Sequence, residues 1–273
     1  MIYNHLSKSK LRIFAVIKVK QPFKVPNPLK LSIITVCLNS ENTIERTIQS
    51  VLAQQYNEIE YLIIDGGSTD DTLNIINKYR HDIHLVLSEP DNGMYDAINK
   101  GIKAVTGQII GVLNADDVYA DNQCATVIAQ AFANYDTDVL FGNLIYMQPN
   151  GKILRKWISK AYRRGMFNWG WMPPHPTFYC KKELFERLGY YDVNFGTAGD
   201  YELMVRFMHY HNVKSYYLDK IIVKMTVGGL SNASLGNRLK AWKNDHKSMG
   251  KNGVKFPLLA LLIKPLRKLG QFF

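Results

Sequence analysis

Short aliphatic runs alternate with segments of helical periodicity along the first half of the chain. The runs are LSIITVCLN, IEYLIID, IHLVLSE and QIIGVLNADD, at residues 31–39, 59–65, 83–89 and 108–117. Each is rich in Ile, Leu and Val, which is typical of strands buried on both faces. Between the runs, apolar residues recur at helical spacing and predict helices over residues 44–52, 73–79 and 95–106. This alternation predicts an α/β fold with a mostly parallel central sheet and helices on both faces.

The second half of the chain has a less regular pattern. Residues 138–143 and 152–157 have the composition of strands, and residues 181–192 and 198–212 have that of helices. The stretch between these pairs, WGWMPPHPTFYC, is rich in aromatic residues and proline. No linker separates the two halves, so we expect one domain with two functional halves.

Polar clusters follow three of the aliphatic runs. Asn39 and Glu41 lie at the carboxyl end of the first run, residues 65–68 at that of the second, and residues 114–117 at that of the fourth. Parallel α/β sheets bind ligands at the carboxyl ends of their strands. We therefore expect these clusters to converge at one edge of the sheet and to form a binding site.

Asp116 and Asp117 come directly after a buried run. Two adjacent carboxylates at such a place repel each other and destabilise the fold unless a cation lies beside them. Oxygen ligands without His or Cys nearby favour Mg²⁺ or Mn²⁺. The alternative interpretation is a helix N-cap formed by Asp117 or Asp121.

Asp65 begins the stretch DGGSTD and could accept hydrogen bonds from a nucleobase, while the glycines allow a ligand to approach the backbone. The alternative is a loop in which Ser68 and Asp71 cap the next helix. Neither G-x-G-x-x-G nor G-x-x-x-x-G-K-[ST] occurs, which argues against a dinucleotide cofactor and a P-loop.

Asp200 and Glu202 begin the last predicted helix of the second half. One interpretation is a general base that faces an acceptor. The other is complementarity to the helix dipole, which favours acids in the first turn. His175 lies between prolines, where a structural role is the more common one.

The positive charge lies at the two ends of the chain. The net charge is +11, yet residues 1–30 contain seven Lys or Arg and no acid, and residues 238–273 contain nine basic residues and one acid. The residues between them carry a net charge of −4, which argues against a nucleic-acid-binding body. Residues 256–273 mix leucines with basic residues, as in segments that lie on anionic membranes. The alternative is a C-terminal core helix with a solvated basic face.

Four blocks of sequence, taken in order, resemble family 2 glycosyltransferases with the nucleotide-diphospho-sugar transferase (GT-A) fold. They are LSIITVCLNSENTIERTIQSVLAQQY, IEYLIIDGGSTDDT, SEPDNGMYDAINKGIKAVTGQIIGVLNADDVY and GDYELMVR. The stretches DGGSTD and DNGMYDAINKG most resemble the subgroup that builds bacterial O-antigen, capsule and colanic-acid repeat units.

The resemblance implies a Rossmann-like GT-A domain over residues 31–230, with a donor half over 31–120 and an acceptor half over 121–230. A basic arm and linker, residues 1–30, would precede it. A basic, apolar, membrane-associating segment, residues 231–273, would follow it.

The resemblance also implies roles for individual residues in an inverting transfer. Asp116, with Asp117, would hold Mg²⁺ or Mn²⁺ on the donor diphosphate, and Asp200 would be the general base. The donor-binding residues would be Thr35, Asn39, Glu41, Asp65, Gly67, Asp96, Asn99 and Asn114. The acceptor-side candidates are His175, Trp171, Glu202 and Arg206.

Two positions depart from the family pattern. Many members have two acids where this chain has Asp65-Gly66, and the usual Asp-x-Asp reads Asn114-Ala115-Asp116. An asparagine carbonyl oxygen can still bind a metal, but it brings no charge. Asp116 is therefore expected to be the main metal ligand.

The resemblance implies two partners: a nucleotide-sugar, with UDP as the nucleotide most common in the family, and a polyprenyl-diphosphate-linked acceptor sugar. Three widely spaced cysteines fit a reduced compartment. The expected location is therefore cytoplasmic, on the inner face of the cytoplasmic membrane, with no nucleic-acid partner. Two rival functions remain: a nucleotidyltransferase, and a non-catalytic nucleotide-sugar-binding protein.

Overall fold

The computed structural model describes residues 28–148, 150–226, 235–269 and 271. The strands are β1 Leu31–Cys37, β2 Ile59–Asp65, β3 Leu85–Ser88, β4 Ile109–Val112, β5 Asp117–Tyr119, β6 Val139–Met147, β7 Ile153–Trp157, β8 Tyr179–Lys181 and β9 Ser215–Thr226. The helices are α1 Ile44–Leu52, α2 Thr72–Lys78, α3 Met94–Ala104, α4 Cys124–Asn134, α5 Lys182–Leu188, α6 Gly199–Met204, α7 Leu235–Lys251 and α8 Pro257–Leu269. The basic arm expected over residues 1–30 lies outside the described residues, except for its last three.

One sheet contains all of these strands. Its order is β3-β2-β1-β4-β8-β6-β9-β5, and β7 pairs with the second half of β6, beyond the residues that pair with β8. β3, β2, β1 and β4 are parallel, as the sequence predicts. β8 then runs antiparallel to β4 and β6, and β6 is parallel to β9. The carboxyl ends of the first four strands therefore share one edge, which positions the loops that follow them.

Two hydrophobic cores lie on opposite faces of the sheet because successive side chains of a strand point to opposite faces. In β1, Ile34 and Val36 belong to one core and Leu31 and Ile33 to the other. The first core is covered by α3, α5, α6, α7 and α8, and the second by α1, α2 and α4. Helices on both faces confirm the predicted layering.

The single strand predicted over residues 108–117 is wrong. β4 ends at Val112, and a turn closed by the Asp117 backbone N–H on the Asn114 carbonyl (3.0 Å) separates it from β5. β5 pairs antiparallel with β9, a long-range contact that no local pattern shows. The two acids of this motif therefore lie at a turn between strands.

The helix predicted over residues 198–212 is present, but it is not a regular α-helix throughout. α6 ends at Met204 and continues as a π-helical segment, Val205–Tyr210. Such wide turns are uncommon and occur often near functional sites. Here the wide turn directly follows the helix that carries Asp200.

The two C-terminal helices pack on the domain. In α8, Ala260 and Leu261 are buried in the first core, and Lys264 donates to Asp245 of α7 at 2.6 Å. The opposite face of α8 exposes Leu258, Leu262 and Leu266, and two more exposed residues, Phe256 and Leu259, adjoin it. In the part of the chain that the structure describes, no helix is long and apolar enough to cross a membrane.

Candidate functional site

Hydrogen bonds tie the loop after β1 to the loop after β2. Asn39 has a left-handed backbone (φ 49°), and its side-chain oxygen accepts from the Thr69 N–H at 2.9 Å. Its own N–H donates to the Ser68 hydroxyl at 2.8 Å. The Glu41 carboxylate accepts from the Asp71 N–H at 3.0 Å. Asn39 and Glu41 are thus brought to the DGGSTD loop, at the expected edge of the sheet.

Asp65 holds this second loop together from within. Its buried carboxylate accepts from the backbone N–H groups of Gly67 and Ser68 at 3.1 and 3.0 Å, and from the hydroxyls of Ser68 and Ser88. Burial opposes ionisation, but these hydrogen bonds outweigh it and lower the pKa of Asp65. The predicted contact with a nucleobase would compete with these bonds, so the geometry favours Asp65 as a residue that positions the loop.

Asn99 and Asp96 of α3 are engaged within the protein. The Asn99 amide donates to the Tyr191 carbonyl at 2.8 Å and accepts from the Tyr191 N–H at 3.0 Å. Asp96 accepts from the backbone and side chain of Asn92. Thr35 is fully buried inside β1. These predicted donor-binding residues lie in or behind the walls of the site, where they shape it.

α1 positions the turn that carries the two acids. The Thr47 hydroxyl is shared between the carbonyls of Ala115 and Asp117, at 2.9 and 2.8 Å. The Arg46 guanidinium donates to the Asp116 carbonyl at 3.2 Å. Because α1 also follows the loop of Asn39, it connects the first and third polar clusters.

Charge is poorly compensated at this turn. Burial raises the pKa of Asp116, and burial together with the charge of Asp116 raises the pKa of Asp117 well above its usual range. Arg46 opposes both shifts only in part. Among the described residues, the buried oxygens Asn114 Oδ1 and Asp117 Oδ1 have no hydrogen-bond partner. A bound cation would give the unpartnered oxygens a ligand and would stabilise the charged form of the buried carboxylates.

The donor set fits a hard divalent cation. Asn114 and Asp116 offer an amide oxygen and a carboxylate, which are ligands suited to Mg²⁺ or Mn²⁺. Within the residues described, no group of three His, Cys, Asp or Glu side chains could enclose a metal by itself. Mg²⁺ usually binds through one or two carboxylates together with substrate phosphates. The turn therefore suits a metal ion whose coordination shell is completed by the oxygens of a diphosphate.

Asp200 lies at the start of α6, partly exposed, and its Oδ1 accepts from the Tyr201 N–H at 2.7 Å. A Cβ on the preceding Gly199 would lie 2.8 Å from the ring of Tyr95, so glycine allows α6 to approach α3 closely. Tyr95 in turn stacks on Tyr191, with ring centroids 5.3 Å apart. The carboxylate therefore sits on a helix start fixed by aromatic packing.

The ionisation of Tyr146 is affected both by Asp200 and by the acidic turn. Burial raises the pKa of Tyr146, Arg155 opposes the shift, and the charges of Asp117 and Asp200 add to it. Both carboxylates therefore lie within electrostatic reach of one phenol. Sequence reasoning missed Tyr146 and Arg155, which face each other across β6 and β7, with the guanidinium 3.9 Å from the ring centroid. Their pairing depends on the register of β6 and β7, which the sequence pattern does not fix.

Two acceptor-side candidates lie in the aromatic interior. His175 is buried with its Nε2 3.0 Å from the Tyr191 hydroxyl, and burial lowers its pKa despite the charge of Asp200. Trp171 is 6% exposed and packs against Phe141 and Phe167. This placement fits core packing. Neither side chain exposes a face on which an acceptor sugar could stack.

Glu202 and Arg206 form a buried pair. Arg206 Nη2 lies 3.0 Å from the Glu202 carboxylate, whose side chain is fully buried. The same guanidinium donates to the carbonyls of Gly189 and Tyr190 at 2.9 and 2.7 Å, and also to Leu188. The pair therefore anchors the loop that follows α5, and these contacts fit a positioning role.

The family model for glycosyl transferase family 2 matches residues 32–192, which is more than half of the chain. An uncharacterized glycosyltransferase of Mycobacterium tuberculosis is 29% identical over 186 residues, covering 64% of this chain and 68% of the relative. A PGL/p-HBAD biosynthesis glycosyltransferase of Mycobacterium bovis is 26% identical over 206 residues, covering 74% of this chain and 78% of the relative.

Solved structures show the same fold. S. aureus TarS 1–349 in complex with UDP-GlcNAc superposes with a TM-score of 0.64 at 20% identity, over 82% of this chain and 66% of that one. The mannosyltransferase PcManGT from Pyrobaculum calidifontis, in complex with GDP-Man and Mn²⁺, gives a TM-score of 0.62 at 15% identity, over 89% and 70%. The chain thus spans about two thirds of the TarS fragment, and the likeness confirms the predicted fold class.

Proposed function

Because the chain belongs to glycosyl transferase family 2, we propose that it moves a sugar, with inversion, from a nucleotide-diphospho-sugar to a lipid-linked or oligosaccharide acceptor. As a member of that family it is a glycosyltransferase. The donor, the acceptor and the residue roles are the proposed part. The setting proposed for the reaction is the synthesis of a cell-surface polysaccharide.

The observation that carries this proposal is the acidic turn between β4 and β5. It places Asn114 Oδ1, Asp116 and Asp117 where parallel strands end, with two buried oxygens unpartnered in the described residues. Ligands of parallel α/β sheets bind at this edge. A metal held there would supply Lewis-acid stabilisation of the charge that develops on the leaving diphosphate.

The remaining residues of the chain would bind and orient the reactants. Asn39, Glu41 and Asp65 hold the two loops that would enclose the nucleotide. Asp200 would accept the proton of an acceptor hydroxyl as that hydroxyl attacks the anomeric carbon from the face opposite the leaving group. General-base catalysis of this kind contributes about 10²–10⁴-fold in rate.

The ligands of similar proteins support the donor class. TarS 1–349 was solved with UDP-GlcNAc, and PcManGT with GDP-Man and Mn²⁺. One M. bovis relative is named for the biosynthesis of PGL/p-HBAD. A UDP-sugar is the first donor to test, followed by GDP- and dTDP-sugars.

A panel of nucleotide-sugars with and without Mn²⁺ tests the proposal. Donor turnover, measured as release of nucleoside diphosphate, should occur with one member of the panel and depend on the metal. Nucleotide binding without any turnover, in the presence of a membrane extract as the acceptor source, would instead favour a non-catalytic nucleotide-sugar-binding protein.

The exposed face of α8 supports an attachment to a membrane surface. Leu258, Leu262 and Leu266 are 69%, 59% and 62% exposed, and Lys255, two residues before α8 begins, is exposed as well. Exposed leucines beside basic residues suit an amphipathic helix in the interface of an anionic bilayer. This arrangement would bring the site to an acceptor carried by a lipid.

A triple variant tests this attachment: Leu258→Gln, Leu262→Gln and Leu266→Gln. Burial of the three side chains is worth about 1.5–3 kcal/mol each, so the variant should move from vesicles of anionic lipid into the supernatant on sedimentation. The matched control replaces Leu52, Ile153 and Leu154, which are also exposed but lie on other elements, with Gln. Equal sedimentation of the two variants would refute attachment through α8.

A further inference from the structure

A basic cavity of about 270 Å³ lies between the inner face of α8 and the chain that follows β7. Its wall includes Ser159 and Trp171 on one side and Lys264, Arg267 and Lys268 on the other. Lys160 adds a fourth cation, and none of the described lining residues is acidic. The volume is slightly below the range of drug-sized ligand sites, which begins at about 300 Å³. A small anionic group fits both the volume and the charge.

Most of the positive charge in the wall is not neutralised. Lys264 is paired with Asp245 at 2.6 Å, and Arg267 donates to the Trp169 carbonyl at 2.7 Å. Within the described residues, no ion pair joins Lys160, Arg267 or Lys268 to a carboxylate. Desolvation, and then the charges of Lys264 and Arg155, lower the pKa of Lys268, while the charges of Asp245 and Asp200 oppose the shift.

The wall also contains buried polar atoms without a partner. Ser159 Oγ and Gln271 Oε1 make no hydrogen bond within the described part of the chain. The oxygen and nitrogen of a Gln amide are interchangeable by rotation, so Gln271 can present its NH₂ group to the cavity. A hydroxyl, an amide and several cations together form a donor set for phosphate oxygens.

One wall of the cavity is in contact with α6, the helix that carries Asp200. Lys264 Nζ lies 3.7 Å from the centroid of the Tyr201 ring, and Tyr201 follows Asp200 in α6. The outer face of the same helix carries the exposed Leu258 and Leu262. α8 therefore has leucines on its outer face and a set of hydrogen-bond donors for phosphate on its inner face, and Lys264 of that inner face contacts the helix that carries Asp200.

We propose that this cavity binds the diphosphate of a lipid-linked acceptor and so places the acceptor hydroxyl toward Asp200. The proposal rests on the glycosyltransferase function proposed above, and it deepens that function by assigning a site for the acceptor. The donor diphosphate is assigned elsewhere, to the acidic turn.

Farnesyl diphosphate, a short soluble polyprenyl diphosphate, is the probe. Its affinity is measured by calorimetry in the wild-type protein, in Lys160→Gln/Lys268→Gln, and in the control Lys243→Gln/Lys255→Gln, which removes two exposed cations outside the cavity. The cavity variant should bind about tenfold or more weakly, because charge-assisted hydrogen bonds are lost. The control should bind as the wild type does. Equal weakening in both variants would show diffuse attraction and overturn the proposal.

Ser159→Ala provides a second test of the cavity, which applies even if the double variant folds poorly. Its hydroxyl has no partner in the described residues, so its removal should not lower thermal stability, yet farnesyl diphosphate should bind more weakly. Unchanged affinity in this variant would contradict the assigned donor set.

Inorganic pyrophosphate and vesicles of phosphatidylglycerol distinguish the sources of phosphate. Pyrophosphate binding that the cavity variant loses supports the site, whereas an effect confined to the vesicles would assign the cations to the membrane surface and overturn it. Nucleotide-sugar binding is measured on the same samples. If farnesyl diphosphate binding depends on the cavity residues but no nucleotide-sugar binds, the cavity assignment stands and the proposed function fails. If a nucleotide-sugar binds but farnesyl diphosphate binding does not depend on the cavity residues, only the cavity assignment is rejected.

Discussion

Asp200→Asn is expected to lower turnover by about 10²–10⁴-fold while the affinity for the nucleotide-sugar stays unchanged. Asparagine keeps the oxygen that accepts from the Tyr201 N–H at 2.7 Å, so the start of α6 is preserved. What it loses is the ability to take a proton from the acceptor hydroxyl. The loss should therefore appear in kcat, with no change in donor binding.

Asp136→Asn is the matched control for this prediction. Asp136 is largely exposed and pairs with Lys214 at the surface, so the same chemical change should leave turnover at the wild-type level. Steady-state kinetics with a nucleotide-sugar and a membrane extract measures both variants. Full activity in Asp200→Asn would remove Asp200 from the base role and leave it only the favourable interaction of an acid in the first helical turn with the helix dipole.

Asp116→Asn should abolish the metal dependence of donor binding and lower turnover by about 10²-fold or more, since Lewis-acid stabilisation is worth several kcal/mol. With Asn114 beside it, the variant would present two neutral oxygens and no exposed carboxylate at the turn. The backbone of the turn should stay in place, because Thr47 and Arg46 hold it through carbonyl groups.

Asp121→Asn supplies the control for the acidic turn. Asp121 lies shortly after β5 and pairs with Lys220 at 2.6 Å, so its loss changes the charge of the region without touching the donor set. Titration of Mn²⁺ in the presence of the nucleotide-sugar measures both variants. An unchanged Mn²⁺ response in Asp116→Asn would move the metal, or the need for one, away from this turn.

The parallel part of the sheet was predictable because its strands are defined by local composition. Residues of β1 such as Ile33 and Ile34 are buried on opposite faces, and a strand with two buried faces has a continuous aliphatic sequence. The rest of the sheet, where parallel and antiparallel pairs are mixed, was not predictable in the same way. β9 extends over twelve residues, yet its half-buried sequence mixes tyrosine, lysine and aliphatic residues, and its partners β5 and β6 are distant in the chain.

The same distinction applies to the site. The acids of the turn were predictable from the local change from aliphatic to acidic residues. The positioning contacts were not: Asn99 and Tyr191 are 92 residues apart, and Tyr146 meets Arg155 only through the register of β6 and β7. The motif DGGSTD identified the correct loop, but the sequence did not reveal that the Asp65 carboxylate accepts hydrogen bonds from the loop itself.

Thermal unfolding in the presence of UDP, GDP, dTDP or CDP, each with and without Mn²⁺, tests the central claim most directly. A ligand at about 100 times its Kd adds about 2.7 kcal/mol to the free energy of unfolding. For a chain of this size, that corresponds to a rise in Tm on the order of 5 to 10 °C. The account predicts that one nucleotide produces such a rise and that Mn²⁺ strengthens it in the wild type but not in Asp116→Asn. No rise with any nucleotide at millimolar concentration, with Mn²⁺ present, would contradict it.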